Sequence, residues 1–281
     1  MRLMHTLLFL CRENRREEDF GMVGTCLKSL EKSRYPSVVV YNQGSLSNDE
    51  LKAYLKTFAL EFHILGEGVN TGTTVGRQAC LRYIWEAFPD TEYISEIHPD
   101  MIFPPHWEDA PVAYLESHDE PIVSCGIVDR AGRMPFLDRT VELPASPDGY
   151  GDFLESLKED TVLHGFTVPC IHVSQILKET GGYDPAFLVG KQCFEDDSML
   201  LGYYYYYGMR ANWYPKVCYH SVVYHAVAGQ RMGLDGGNVM VNFGGLVRQY
   251  GAVGLRHLSV LHKSEWHKRF FRQQYDAFSI R

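Results

Sequence analysis

Short apolar runs alternate with helix-period segments through the first hundred residues, and no other feature of this chain restricts its fold as much. "HTLLFLC" (5–11) has the unbroken apolar character of a buried strand, and "SVVVYNQGS" (37–45) is a β-branched strand running into a turn. Between them, "EEDFGMVGTCLKSLEKS" (17–33) sets Phe20, Val23, Leu27 and Leu30 at helical spacing. "NDELKAYLKTF" (48–58) reads as a helix with Asn48 or Asp49 as its N-cap. "EFHILGEG" (61–68) and "EYISEIHPD" (92–100) are strands, separated by a helix over 73–88 with Val75, Ala79, Leu81, Ile84 and Phe88 on its apolar stripe. This alternation predicts an α/β fold, a mainly parallel sheet with helices on both faces. Ligands of such sheets sit beyond the carboxyl ends of the strands. Asn42–Ser45, Glu67–Asn70 and His98–Asp100 are therefore expected to converge on one crevice.

Further along, "TVLHGFTVPCIHVS" (161–174) is strand-like, and "NWYPKVCYHSVVYH" (212–225) is a strand or strand pair. Glu195–Tyr207 predicts a helix whose first turn carries three acids, which suits the positive end of the helix dipole, with Gly208 placed as a C-cap. The tyrosines of "YYYYY" (203–207) cover more than one turn, so some pack on the sheet and others face a partner or cleft. Residues 238–250 and 257–278 are expected as terminal helices joined around Gly251 and Gly254, the second with Leu258, Leu261, Trp266, Phe270 and Phe271 near one stripe. "ELPASPDGYGD" (142–152) is a loop within one domain, and glycine-rich "GQRMGLDGGN" (229–238) is either a lid or an ordinary exposed loop.

A net charge of −8 over 281 residues argues against nucleic acid as the ligand. The charge is uneven, however: residues 255–281 hold Arg256, Lys263, Lys268, Arg269, Arg272 and Arg281 against Glu265 and Asp276. That stretch is a solvated helix face, a contact with a membrane surface or anionic partner, or a homo-oligomer contact. Seven scattered cysteines without a CxxC pair suggest neither a disulfide framework nor a zinc site, and suit a reducing cytoplasm. The apolar start, Leu7 to Cys11, is too short for a signal peptide, and no run approaches the ~20 residues of a spanning helix. The expected location is cytoplasmic, or peripheral at the membrane.

"EIHPDMIFPPHW" (96–107) puts Glu96, His98 and Asp100 at alternate positions where a strand ends. Glu195-Asp196-Asp197 comes later at a helix start, and Pro215 to His220 closes the series. Each element alone has a bland reading: a turn residue, a helix cap, a structural histidine. In this order they resemble the nucleotide-sugar glycosyltransferases of the GT-A superfamily, family-2 type with its rhamnosyltransferase-like members, over about residues 5–225. "NQGS" (42–45) is similar to that family's D-N-x-S nucleoside turn, and "NTGTTVGRQ" (70–78) to its N-x-G-x-x-x-x-R-N segment. "HPDMIFPPHW" (98–107) is similar to N-P-D-x-x-x-P-P-x-W/L, "GGYDPAF" with "FEDDS" to G-G-F-D-x-x-F and E-D-x-D, and "YPKVCYH" to P-x-x-x-x-H. Asn42 stands where the family has Asp, His98 where it has Asp or Asn, and Gln78 where it has Asn.

The resemblance implies a GT-A (Rossmann-like) three-layer α/β/α sandwich over 1–237, with a C-terminal helical extension, 238–281, packed on it. It implies a metal-dependent inverting transfer of a sugar from a nucleoside-diphosphate sugar to a hydroxyl on a glycan, lipid-linked or peptide acceptor. Asp100 and His220 would hold a divalent cation, Mn²⁺ or Mg²⁺. Asn42, Ser45, Asn70, Arg77 and His98 would meet the donor, His98 as a ligand, a partner of metal-bound water, or a ribose or phosphate contact. Asp196 is the expected general base, with Glu195 second to it, and Glu96 supports from behind. Two other classes stand beside this one. A non-catalytic nucleotide-sugar or glycan-binding protein would fit the altered Asn42 and His98. A sugar nucleotidyltransferase would want a glycine in "CRENRR" (11–16), which has none. "NTGTTVGR" likewise lacks the lysine of a P-loop.

Overall fold

A computed structural model of the chain describes residues 2–207, 213–227 and 236–279. Gly208 and all but the end of the 229–238 segment lie outside the described residues. In chain order the elements are β1 (Leu3–Phe9), α1 (Arg16–Leu30), β2 (Ser37–Asn42), α2 (Asn48–Leu55), β3 (Glu61–Leu65), α3 (Thr73–Ala87) and β4 (Tyr93–Ile97). Then come β5 (Met101–Ile102), α4 (Asp109–Ser117), β6 (Ile122–Val128), the hairpin β7 (Arg133–Met134) and β8 (Arg139–Thr140), α5 (Tyr150–Ser156), β9 (Val162–His164) and β10 (Cys170–Val173). The last are α6 (Ser174–Thr180), α7 (Glu195–Tyr206), β11 (Lys216–His225), α8 (Gly236–Leu261) and α9 (Glu265–Ser279).

The nine-stranded sheet has the order β3-β2-β1-β4-β10-β6-β11-β5, with β9 paired to β11. β1–β4, β6 and β11 share one direction, while β5, β9 and β10 run against them. Period-two alternation divides the core between the faces. Leu3, Leu7, Val38 and Val40 pack on one side against Val23 and Leu27 of α1, Leu51 and Leu55 of α2, and Val112 of α4. Met4, Val39 and Ile94 pack on the other against Leu81 and Ile84 of α3, Leu177 of α6 and Leu200 of α7. Phe243, Leu246, Leu255, Leu258 and Leu261 of α8 and Phe271 of α9 belong to that second core.

Local chemistry explains where elements begin and break. The N-cap of α2 is Ser47, just before the expected Asn48 or Asp49, because Ser47 and Glu50 form a reciprocal capping box. Helix α8 breaks at Gly251, whose φ of 68° suits glycine, and then continues to Leu261. β11 carries an irregularity: Cys218 pairs with Cys125 but Val222 pairs with the next residue, Gly126, so Tyr219, His220 and Ser221 fall out of register. Gly126 makes room for this excursion, since a Cβ there would lie 2.4 Å from Cδ1 of Tyr219.

Candidate active site at the carboxyl edge of the sheet

Glu96, the fourth residue of β4, is buried inside the second core. Tyr183 Oη lies 2.8 Å from both of its carboxylate oxygens, and Arg77 Nη1 forms an ion pair with it. Arg77, expected to meet the donor, is not a surface residue: it is 6% exposed. Its guanidinium bridges the strand end instead, with Nη1 on Glu96 and Nη2 2.7 Å from Nε2 of His98. Arginine has donors only, so His98 Nε2 accepts and the single proton of a neutral His98 ring sits on Nδ1. Nδ1 lies 3.3 Å from Nε2 of His225, which lies 3.4 Å from Oδ1 of Asp100. Burial and then the charge of Arg77 hold the His98 pKa well below its ordinary range, against the pull of Asp100.

His98, Asp100 and His225 thus place ligand-type atoms within 4.8 Å of one another. His225 is absent from the site residues expected from the sequence. It is the last residue of β11, and its neighbour across the sheet is Met101 of β5, just past Asp100. His220, expected beside Asp100, lies in the out-of-register excursion and turns its Nε2 to Asp160, 2.9 Å away. The Asp100 carboxylate and the His225 Nε2 lone pair suit a divalent cation of the Mn²⁺ type. The His98 Nδ1 proton faces His225 Nε2, so a cation on that nitrogen would displace this hydrogen bond and leave His98 a donor to a ligand oxygen. A second group of ligand-type residues, Glu96, Cys170 and His172, is wholly buried beside the Arg77 charge, which disfavours a cation.

The acids open α7. Its N-cap, Phe194, has φ 65° and no side-chain cap, and Cys193 before it has φ 91°. Glu195 is 5% exposed and its Oε1 has no hydrogen-bond partner. Burial, and then the neighbouring Asp196, push its pKa up to about 7. Asp196 is half-buried; burial raises its pKa too, while Arg77, His262 and His225 draw it back. Of the pair, Asp196 has the access to meet a solvent-borne hydroxyl. Asp197 turns away and binds Nε2 of His262 at 2.6 Å.

The residues expected to meet the nucleoside, Asn42, Ser45 and Asn70, lie at the end of a strand or in the turns that follow strands. Asn42 is fully buried; its Nδ2 donates to Leu46 O and Asn48 Oδ1, both at 2.9 Å, and its Oδ1 accepts from Gly44 N. It therefore shapes the 42–48 turn from inside. Ser45 is exposed and bonded to Cys11 O, and Asn70 Oδ1 accepts from Gly72 N. In the tyrosine run, Tyr203 is buried with Oη 2.7 Å from His172 Nδ1, and Tyr205 stacks on Tyr250 of α8, so packing accounts for both.

The layered, mostly parallel sheet has the GT-A (Rossmann-like) class of fold. No family model and no curated protein matches the sequence. Among solved structures, residues 1–349 of S. aureus TarS align over 98% of this chain and 70% of that one, at TM-score 0.57 and 15% identity. The same portion in complex with UDP aligns over 96% and 69%, at TM-score 0.56 and 16% identity. In complex with UDP-GlcNAc it aligns over 99% and 71%, at TM-score 0.53 and 14% identity. Likeness at this level of identity speaks to the fold. No helix among the described residues is long and apolar enough to cross a membrane.

Proposed function

We propose that this protein is a glycosyltransferase that moves a sugar from a nucleoside-diphosphate sugar to a hydroxyl acceptor. One observation carries the reading: His225, 3.4 Å from Asp100 at the sheet edge, lies in electrostatic reach of Asp196 at the start of α7, so groups suited to a cation and a group suited to take a proton lie near one another. The UDP and UDP-GlcNAc complexes of the TarS fold neighbour support the donor class.

Asp196 takes the proton of the acceptor hydroxyl as its oxygen attacks the anomeric carbon, and the bond to the diphosphate breaks on the opposite face, inverting configuration. A divalent cation held by Asp100 and His225 would offset the charge on the departing diphosphate. Arg77 acts through His98, keeping that ring neutral with its Nδ1 proton directed at His225 Nε2, the nitrogen that would bind the cation. Ser45 and Asn70 would meet the nucleoside side of the donor, and Asn42 holds the 42–48 turn that carries Ser45 in shape. We also place a membrane-surface contact on 255–281, where exposed Trp266 sits among Lys263, Lys268 and Arg269.

A panel of nucleotide sugars, assayed for released nucleotide with and without Mn²⁺, tests the reading. Turnover with at least one donor, lost in Asp196→Asn, is expected. Absence of both turnover and thermal shift across the panel would refute it, and binding without turnover would favour a non-catalytic sugar-nucleotide protein.

A further inference from the structure

We infer that Asn242 of α8 is a positioning residue, clamping the 190–193 backbone so that the strained turn behind it presents Asp196 to the acceptor. The inference rests on the reading of Asp196 as base. Asn242 is fully buried, and its carboxamide is directed entirely at this one segment. Oδ1 accepts from Gly190 N at 2.6 Å. Nδ2 points at three carbonyls, Gly190 O at 3.4 Å, Gln192 O at 3.3 Å and Cys193 O at 2.9 Å. Asn238, one turn earlier on α8, adds to the clamp by accepting from Lys191 N at 3.0 Å, and α3 holds the segment too, Thr73 N donating to Lys191 O at 2.9 Å.

Directly beyond the clamp lies the proposed catalytic turn. Cys193 and Phe194 are consecutive non-glycine residues with φ of 91° and 65°, a conformation that persists only where surroundings enforce it. Glu195 and Asp196 come next. No side chain caps this helix start, and the backbone that leads into it is held from α8 instead. The Phe194 ring packs between Phe243 of α8 and Phe270 and Phe271 of α9. Ser198, one turn on, bonds Gln249 and Tyr250. Gly190 fits the close approach, since a Cβ there would lie 2.8 Å from Asn242 Oδ1. The C-terminal helices thus hold the acid pair in place, with Asn242 at the point where strain begins.

Asn242→Asp tests this in the full chain. The substitution keeps the size and the acceptor for Gly190 N, but turns an oxygen toward three carbonyls. Gly190→Ala disturbs the same clamp from the other side. Expected for both is a fall in kcat of about 100-fold, the scale of a small misplacement of a reacting group, with donor KM within about twofold. A second readout needs no turnover. Cys193 is half-buried while the other six cysteines are buried, so release of the clamp raises alkylation at Cys193 several-fold and leaves the others protected. Three results overturn the inference: kcat near wild type in Asn242→Asp, unchanged Cys193 labelling, or loss of all cysteine protection together, which marks general unfolding. Asp196→Asn, run alongside, separates the layers. If it turns over normally the base reading fails; if it is inactive while Asn242→Asp is not, only the clamp fails.

Discussion

Replacing Glu195 with glutamine should stabilise the protein at alkaline pH and leave it unchanged in acid. Glu195 is buried, with one oxygen unpartnered, and its pKa stands at about 7 against an ordinary 4.5. A raised carboxyl pKa means the folded chain holds its proton more tightly than the unfolded one. The stabilisation from that proton is complete below pH 4.5 and is lost as pH rises from there through 7. The interval, at 1.36 kcal/mol per pH unit, amounts to about 3 kcal/mol. Glutamine never ionises, so the Glu195→Gln variant should gain on wild type by up to about 3 kcal/mol between pH 5 and pH 8. Urea unfolding followed by tryptophan fluorescence at pH 5, 6, 7 and 8 measures the difference directly. Parallel stability curves for the two proteins would refute the reasoning. A pH-dependent gain in Asp196→Asn instead would move the perturbed proton to the other acid.

At the metal edge, Asp100→Ala and His225→Ala should each cost about 100-fold or more in Mn²⁺-dependent kcat/KM, a loss typical of removing one transition-state charge partner, while His220→Ala stays near wild type; equal losses in all three would sink the assignment of His225. Arg77→Met strands the Glu96 carboxylate and should destabilise by about 3–5 kcal/mol in urea unfolding, with Glu96→Gln recovering most of it; an undiminished loss in the double variant would contradict the pairing. Gly126→Ala should cost about 1–3 kcal/mol by displacing Tyr219, and a neutral result would show that β11 relaxes freely. Trp266→Glu should weaken co-sedimentation with anionic phosphatidylserine vesicles; if wild type does not sediment with them, the membrane contact is wrong.

The legible parts of this molecule are those that local periodicity governs. Alternation of period two and period 3.6 marks β1 through β4 with α1 to α3 between them, and so the crevice at their carboxyl ends. Asp100 and the acid pair are readable because each sits at an element boundary marked by proline or by an apolar run. His225 is not, because spacing along β11 counts residues as if the strand kept register, and three of them leave it before His225 is reached. The pairing of Arg77 is hidden for a related reason. Its place in the α3 pattern is visible, but its partners Glu96 and His98 arrive from another strand. Asn242 is the extreme case. Nothing within its own helix distinguishes it from an ordinary polar residue, and its four contacts lie about 50 positions earlier in the chain. The acids could be read as helix-start residues with favourable dipole charges, yet the structure starts that helix on two left-handed residues and no cap. A helix start needing so much outside support is poor design for stability alone. Its strain is better understood as the cost of aiming Asp196, which makes the C-terminal helices part of the proposed chemistry.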